Sequence, residues 1–111
     1  MDRLDAGSFE KTRLARDGVW IVAFIADWCP FCQRFLPQFS ALEAETGFRV
    51  AIGDLTSEAS PLWDEFRIEV VPTVAVFRDG RMVFRVDGIL GTGLPPGGLE
   101  KARAAALATG A

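Results

Sequence analysis

Two cysteines three positions apart, Cys29 and Cys32 in the stretch ADWCPFCQRFLPQF, are the residues of this chain best suited to chemistry. Disulfide exchange proceeds by thiolate attack, so it needs one sulfur that carries negative charge and a second thiol close enough to resolve the mixed disulfide. Cys29 stands just ahead of Pro30, which fits the first position of a helix because it has no amide hydrogen to waste there and already holds the required φ. At such a helix end the unpaired amides and the macrodipole favour an anion. Cys32, one turn inward on the apolar face, is shielded. The spacing therefore predicts Cys29 as nucleophile and Cys32 as resolving thiol.

Two other readings compete with a redox centre. Cysteine is among the most buried residue types, so the pair is also readable as two small core residues. Structural zinc wants four nitrogen or sulfur ligands, and a chain with two cysteines and no histidine supplies two. A metal ion or iron-sulfur cluster would then have to be shared between two chains. The lack of histidine also removes a Cys-His hydrolase from consideration.

The pair depends on the elements that hold it. The run VWIVAFIA, 19–26, is almost continuously apolar and rich in β-branched residues, as expected of a central strand covered on both faces. From Pro30 to Thr46 the spacing Cys32, Phe35, Phe39, Leu42 predicts a helix with one apolar stripe, ended by Gly47 and bent at Pro37. FRVAIGDL, 48–55, reads as a second strand beside the first, joined to it by a right-handed crossover. Upstream, Ser8 is a plausible cap for a short helix through about Arg16, with Gly18 as the stop.

Downstream, Ser60-Pro61 reads as a cap and first-turn pair that opens a helix carrying Leu62, Trp63 and Phe66. TVAVF and RMVFRV flank Asp79-Gly80, a strong hairpin signal. An alanine-rich helix from about Pro96 to Thr109 places Leu99, Ala102, Ala106 and Leu107 on one side. GILGTGLPPGG, 88–98, lacks the dinucleotide-binding pattern and reads as a connector. This order predicts a single α/β domain over residues 1–111, a mixed sheet with helices on both faces.

Length and charge narrow the function. At 111 residues with 50% apolar positions, the chain can bury roughly two thirds of its unfolded surface without a disulfide framework. A net charge of -3 with Lys and Arg scattered singly offers no basic stripe, which argues against nucleic acid and anionic membranes. The start, MDRLDAGSFEK, carries charges where a signal peptide needs its apolar run, and no segment approaches a membrane span. A cytoplasmic location is expected.

WCPFC after a buried strand, Val71-Pro72-Thr73 before a hairpin, and a terminal helix together resemble the thioredoxin superfamily, over nearly the whole chain. Only the first strand is reduced, to about Arg3 to Asp5. The resemblance implies a thioredoxin fold and a cis peptide bond before Pro72, whose preceding backbone pairs with an extended substrate segment. It also implies a shallow substrate groove framed by Trp28, Pro30, Phe31, Val71, Pro72 and Gly88.

Several positions depart from the thioredoxin pattern. Pro-Phe stands between the cysteines where thioredoxins carry Gly-Pro, closer to the Pro-Tyr of glutaredoxins. The buried Asp and Lys that assist the resolving thiol in thioredoxins correspond to Ala23 and Ile52 here. Asp27 shares a strand face with Ala23 by alternation and is the candidate proton acceptor for Cys32, through water. Asp87 adds a charge to the groove rim, and Glu69 and Val70 replace the usual Arg-Gly. The 88–98 loop is longer than its thioredoxin counterpart.

The function expected is that of a thiol-disulfide oxidoreductase, monomeric, acting on disulfide-containing protein substrates. Its electrons would come from a thioredoxin reductase or a small thiol, and no metal or organic cofactor is expected beyond the reversible Cys29-Cys32 disulfide. A glutaredoxin-like, glutathione-dependent enzyme and a non-catalytic adaptor or cluster carrier are the alternatives.

Overall fold

The computed structural model describes residues 1–45 and 47–110. The chain order is β1 (Asp2–Leu4), a 3-10 turn (Ala6–Ser8), β2 (Phe9–Glu10), β3 (Arg13–Leu14), β4 (Val19–Ile25) and α1 (Pro30–Glu43). It continues with β5 (Val50–Asp54), α2 (Leu62–Glu65), β6 (Thr73–Arg78), β7 (Arg81–Val86) and α3 (Gly98–Gly110). Five strands form one mixed sheet in the order β1-β5-β4-β6-β7. β4 is parallel to β5 and antiparallel to β6, so it occupies the centre, as its apolar run demands.

Alternation along β4 divides the core into two layers. On one face, the side of Val19, Ala23 and Val74, α3 packs against β4, β6 and β7. Its Gly110 lies against Val19 and its Gly98 against Val86. α1 buries Cys32, Phe35, Phe39 and Leu42 and borders α3 along a shared groove. On the opposite face Phe24 and Phe77 meet Phe9 and Phe66, with ring centroids 4.9 to 6.1 Å apart. Gly53 is required there, because a Cβ on it would lie 2.4 Å from the Phe24 ring. Helices on both faces and the Asp79-Gly80 hairpin agree with the sequence reading.

Three expectations are corrected. Residues 8–16 do not form a helix: Asp5 caps the 3-10 turn, and β2 and β3 pair as a two-stranded ribbon, Phe9 opposite Leu14. The reason is tertiary, since Phe9 and Leu14 are both buried, a pairing of faces that a helix would break. The ribbon is also tied to the hairpin tip, the Leu14 amide donating to the Gly80 carbonyl at 2.9 Å. Second, α2 is a single turn with Pro61 as its N-cap, while Ser60 Oγ accepts from the Leu62 amide at 3.2 Å and Phe66 lies past its end.

Third, α3 starts at Gly98, and Leu107 points to solvent while Ala102 and Ala106 are buried. The 88–98 segment is a connector, as expected, in which Ile89 and Gly93 bridge across a closed turn. The first strand pairs in parallel with β5, one residue earlier than expected. α1 ends at Glu43; Thr46, the expected end, lies outside the described residues, as does Ala111.

Candidate active site

The C-terminal end of β4 delivers the chain directly into α1, and the two cysteines span that junction. Cys29 is the N-cap of α1, with extended backbone dihedrals, and Pro30 occupies the first turn. The Cys32 amide, one of the orphan donors of the helix end, donates to Cys29 Sγ at 3.3 Å. The Cys29 thiol in turn donates to the Val71 carbonyl at 3.6 Å. Both cysteines are free thiols.

Burial separates them. Cys29 is 4% exposed and Cys32 fully covered. Desolvation, reinforced by the hydrogen bond and charge of Cys29 and by the charge of Asp27, pushes the Cys32 thiol up to about 12, although the Ala26 backbone pulls the other way. At neutral pH Cys32 is therefore a protonated thiol in an apolar setting.

The Val71-Pro72 peptide bond is cis, and both residues are buried beside Cys29. Thr73 ties this step to the far wall: its hydroxyl donates to the Val70 carbonyl at 2.8 Å and accepts from the Gly88 amide at 3.3 Å. Gly88 must be glycine, because a Cβ there would stand 2.6 Å from the Pro72 carbonyl oxygen. Phe31 is half-buried, and a methyl on Gly93 would meet it at 3.3 Å. Pro30 is exposed.

Trp28 is 54% exposed, stacks on Trp63 with centroids 6.4 Å apart, and donates from Nε1 to the Thr56 carbonyl at 2.9 Å. Of the six groove residues expected, Val71 meets the Cys29 sulfur directly, Gly88 lies against the Pro72 carbonyl, and Trp28, Pro30 and Phe31 flank Cys29 along the chain. Asp87 is neutralised in place by Arg85 at 2.7 Å, whose guanidinium also bonds the Phe66 and Arg67 carbonyls at the end of α2.

Asp27 lies beside the pair but faces outward, its carboxylate 2.8 Å from Arg3. Arg3 also reaches Asp54 at 3.4 Å. Thr56 is the hub of this corner: its hydroxyl accepts from the Asp27 amide at 3.0 Å and its amide donates to Asp54 at 2.9 Å. Burial raises the Asp54 carboxyl, yet the Thr56 bonds and the Arg3 charge outweigh it and hold it below the usual carboxylate range. Sequence reasoning gave no role to Arg3, Thr56 or the Thr73 hydroxyl. The Asp-x-Thr spacing at 54–56 is the side-chain turn signal that marks Thr56; nothing local marks Arg3, whose partners are 24 and 51 residues away.

Among the described residues, no group of three or more His, Cys, Asp or Glu is placed to hold a metal ion, and no helix is long and apolar enough to cross a membrane.

Comparisons with known proteins fit this geometry. Residues 2–94 match the thioredoxin family model. Over 91 residues, 81% of this chain and 88% of the relative, the sequence is 28% identical to a thioredoxin of Rhodospirillum rubrum. It is 31% identical over 75 residues to a protein disulfide-isomerase A6 homolog of Drosophila melanogaster; the match takes in 67% of this chain but only 17% of that longer protein. In three dimensions it resembles the short form of spinach chloroplast thioredoxin f, with a TM-score of 0.71 and 22% identity over 94% of this chain and 91% of that one.

Proposed function

As a member of the thioredoxin family the chain is a thiol-disulfide oxidoreductase with a CxxC dithiol, and we propose that it reduces or exchanges protein disulfides with Cys29 as nucleophile and Cys32 as resolving thiol. The observation that carries this reading is the asymmetry of the two sulfurs. Cys29 Sγ caps a helix, accepts a backbone amide and abuts the cis-proline step, whereas Cys32 is sealed behind it as a high-pKa thiol.

In the first step the Cys29 sulfur, its proton lost to solvent, attacks one sulfur of the client disulfide. A protein-client disulfide forms, and the client's other sulfur leaves with the electron pair and takes up a proton. In the second step Cys32 loses its proton and its sulfur bonds to Cys29, expelling the remaining client thiolate, which is then protonated. The dithiol has lost two electrons and the client disulfide has gained them. We assign Asp27 as the group that accepts the Cys32 proton through water. Its charge already acts on the Cys32 thiol.

In this reading Trp28, Pro30, Phe31, Val71, Pro72 and Gly88 form the substrate surface, and the backbone before Pro72 offers an edge on which an extended client segment adds as a strand. A thioredoxin reductase or a small thiol returns the electrons, the Cys29-Cys32 disulfide is the sole redox group, and no metal or organic cofactor takes part. The reading keeps the chain, residues 1–111, as one thioredoxin-like unit, monomeric and cytoplasmic, without nucleic-acid or membrane partners. Similarity to thioredoxins of like length supports it.

The test is insulin reduction with dithiothreitol as donor. The wild-type protein should accelerate precipitation of the insulin chains, Cys29→Ser should reduce it to the background rate, and Cys32→Ser should accumulate a client-linked species that thiol reagents release. Equal background rates for the wild type and Cys29→Ser would overturn the assignment.

A further inference from the structure

The long loop after β7 builds a feature that the sulfur chemistry does not use. Residues 88–98 contain no charged side chain. The segment Ile89–Gly93 is closed by three backbone hydrogen bonds: Ile89 donates to Gly93 at 2.8 Å, and Thr92 and Gly93 each donate to Ile89 at 3.0 Å. Its glycines at 91 and 93 adopt positive φ, so the turn is fixed rather than slack. Leu90 is held out at its tip, 85% exposed, with Ile89 at 49% beside it. Both ends of the turn rest on the reactive site, Gly88 against the Pro72 carbonyl and Gly93 against Phe31.

Behind the turn lies a groove of 610 Å³ between α1 and α3, with Phe31, Phe35, Leu94, Pro95 and Leu99 among its apolar lining. It follows α1 from Phe31 to Leu42 and reaches Glu45 beyond the helix; the helical part runs about 16 Å at the helical rise, which matches roughly five residues of extended chain. Its charge is uneven. At the far end Arg103 is paired with Glu45 at 3.0 Å and Glu100 at 3.3 Å. Near the sulfurs Arg34 stands 4.8 Å over the Phe31 ring and has no carboxylate partner among the described residues.

We propose that the Ile89–Gly93 turn and the groove it walls form a second recognition subsite, which receives an extended apolar stretch of a client polypeptide carrying an acidic residue that pairs with Arg34. This rests on the thiol-disulfide reading above and adds to it a preference among clients. The subsite lies on the α1 side of Cys29, and its continuity with the reactive centre runs through Phe31, which is at once neighbour to Cys29 and wall of the groove. An uncharged wall formed by the 88–98 loop, an outward leucine on a hydrogen-bonded turn and the unpaired Arg34 guanidinium select an apolar and acidic segment over a basic one.

The experiment uses synthetic peptides with a single cysteine blocked as a thionitrobenzoate mixed disulfide, and Ellman's reagent as the small reference. Attack by Cys29 breaks that disulfide, forms the protein-peptide disulfide and releases coloured thionitrobenzoate. Three flanks are compared: apolar with one Glu, apolar with Gln in its place, and Ser-Gly. The pre-reduced wild type, freed of donor, is the electron source for a single turnover, and its second-order rate constant for thionitrobenzoate release should favour the apolar flank over Ser-Gly. Leu90→Ser should lower that ratio by up to about tenfold, the scale of one buried leucine. Arg34→Gln should lower the Glu-to-Gln ratio about threefold, the scale of a surface ion pair.

Wild-type turnover of Ellman's reagent with equal rates on all three peptides, or preferences unchanged in both variants, would overturn the subsite while leaving the redox reading intact. No turnover of any disulfide would overturn both. Concentration-dependent self-association abolished by Leu90→Ser would assign the turn to a second copy of this chain and overturn the client subsite.

Discussion

At the scale of single residues, Cys29 and Cys32 are one helical turn apart, yet they meet different surroundings, and their division of labour follows from that difference. Cys32 is the group with a titration to measure. Its folded pKa is raised from 9.0 to about 12, so protonation favours the fold, and stability that is fully present below about pH 9 is lost as the pH climbs toward 12. Urea unfolding of the reduced protein should therefore show a falling midpoint above about pH 9 that Cys32→Ser lacks. Asp27 belongs to the kinetics instead. Asp27→Asn should slow release of the client from the mixed disulfide by at least about tenfold, within the range of general-base effects; stopped-flow release at unchanged thermal stability is the measurement. The placement of both sulfurs, one capping α1 and one a turn inward and buried, was legible in the sequence because helix-start chemistry is local. The Arg3 contact that turns Asp27 outward was not, because it crosses from a different strand.

Elements place these residues by packing as much as by propensity. The buried strand β4, the Pro30 helix start and the Asp79-Gly80 hairpin are local signals, and each is where the sequence put it. The ribbon β2-β3 is the contrary case. Residues 8–16 satisfy a helical reading, but Phe9 must reach Phe24, Phe66 and Phe77 in one layer, and only the extended ribbon buries Phe9 and Leu14 together. Gly53 in β5 is a second case in which a neighbour overrides propensity. Alanine in a strand interior ordinarily gains about 0.5–1 kcal/mol over glycine, yet here its Cβ would lie 2.4 Å from Phe24. Gly53→Ala should instead lose about 1–3 kcal/mol through overpacking, read by chemical denaturation, with the alkylation rate of Cys29 in the folded protein unchanged.

Across the whole molecule, the sheet separates two layers with different duties. The α1-α3 layer holds the sulfurs and the groove, while the aromatic layer on the far side anchors the sheet. Phe77→Ala, a fully buried position facing Phe9 and Phe66, should cost about 3–5 kcal/mol, a large part of the about 5–15 kcal/mol typical of a whole domain. Its urea midpoint should drop sharply, while the fraction that remains folded keeps a reactive Cys29. A loss of that reactivity at retained fold would contradict the separation of layers. The chain's own order of residues determined the cysteine pair, its place at a strand-to-helix junction and the fold class, because capping, periodicity and turn chemistry act between residues a few positions apart; the cis bond before Pro72 was expected from the family resemblance alone. Tertiary structure alone decided that Arg3 holds Asp27, that Thr73 fastens Gly88 to the proline step, and that the Leu90 turn rests on Phe31. Those contacts join segments distant in the chain, and their energy exists only once the sheet has brought the segments together.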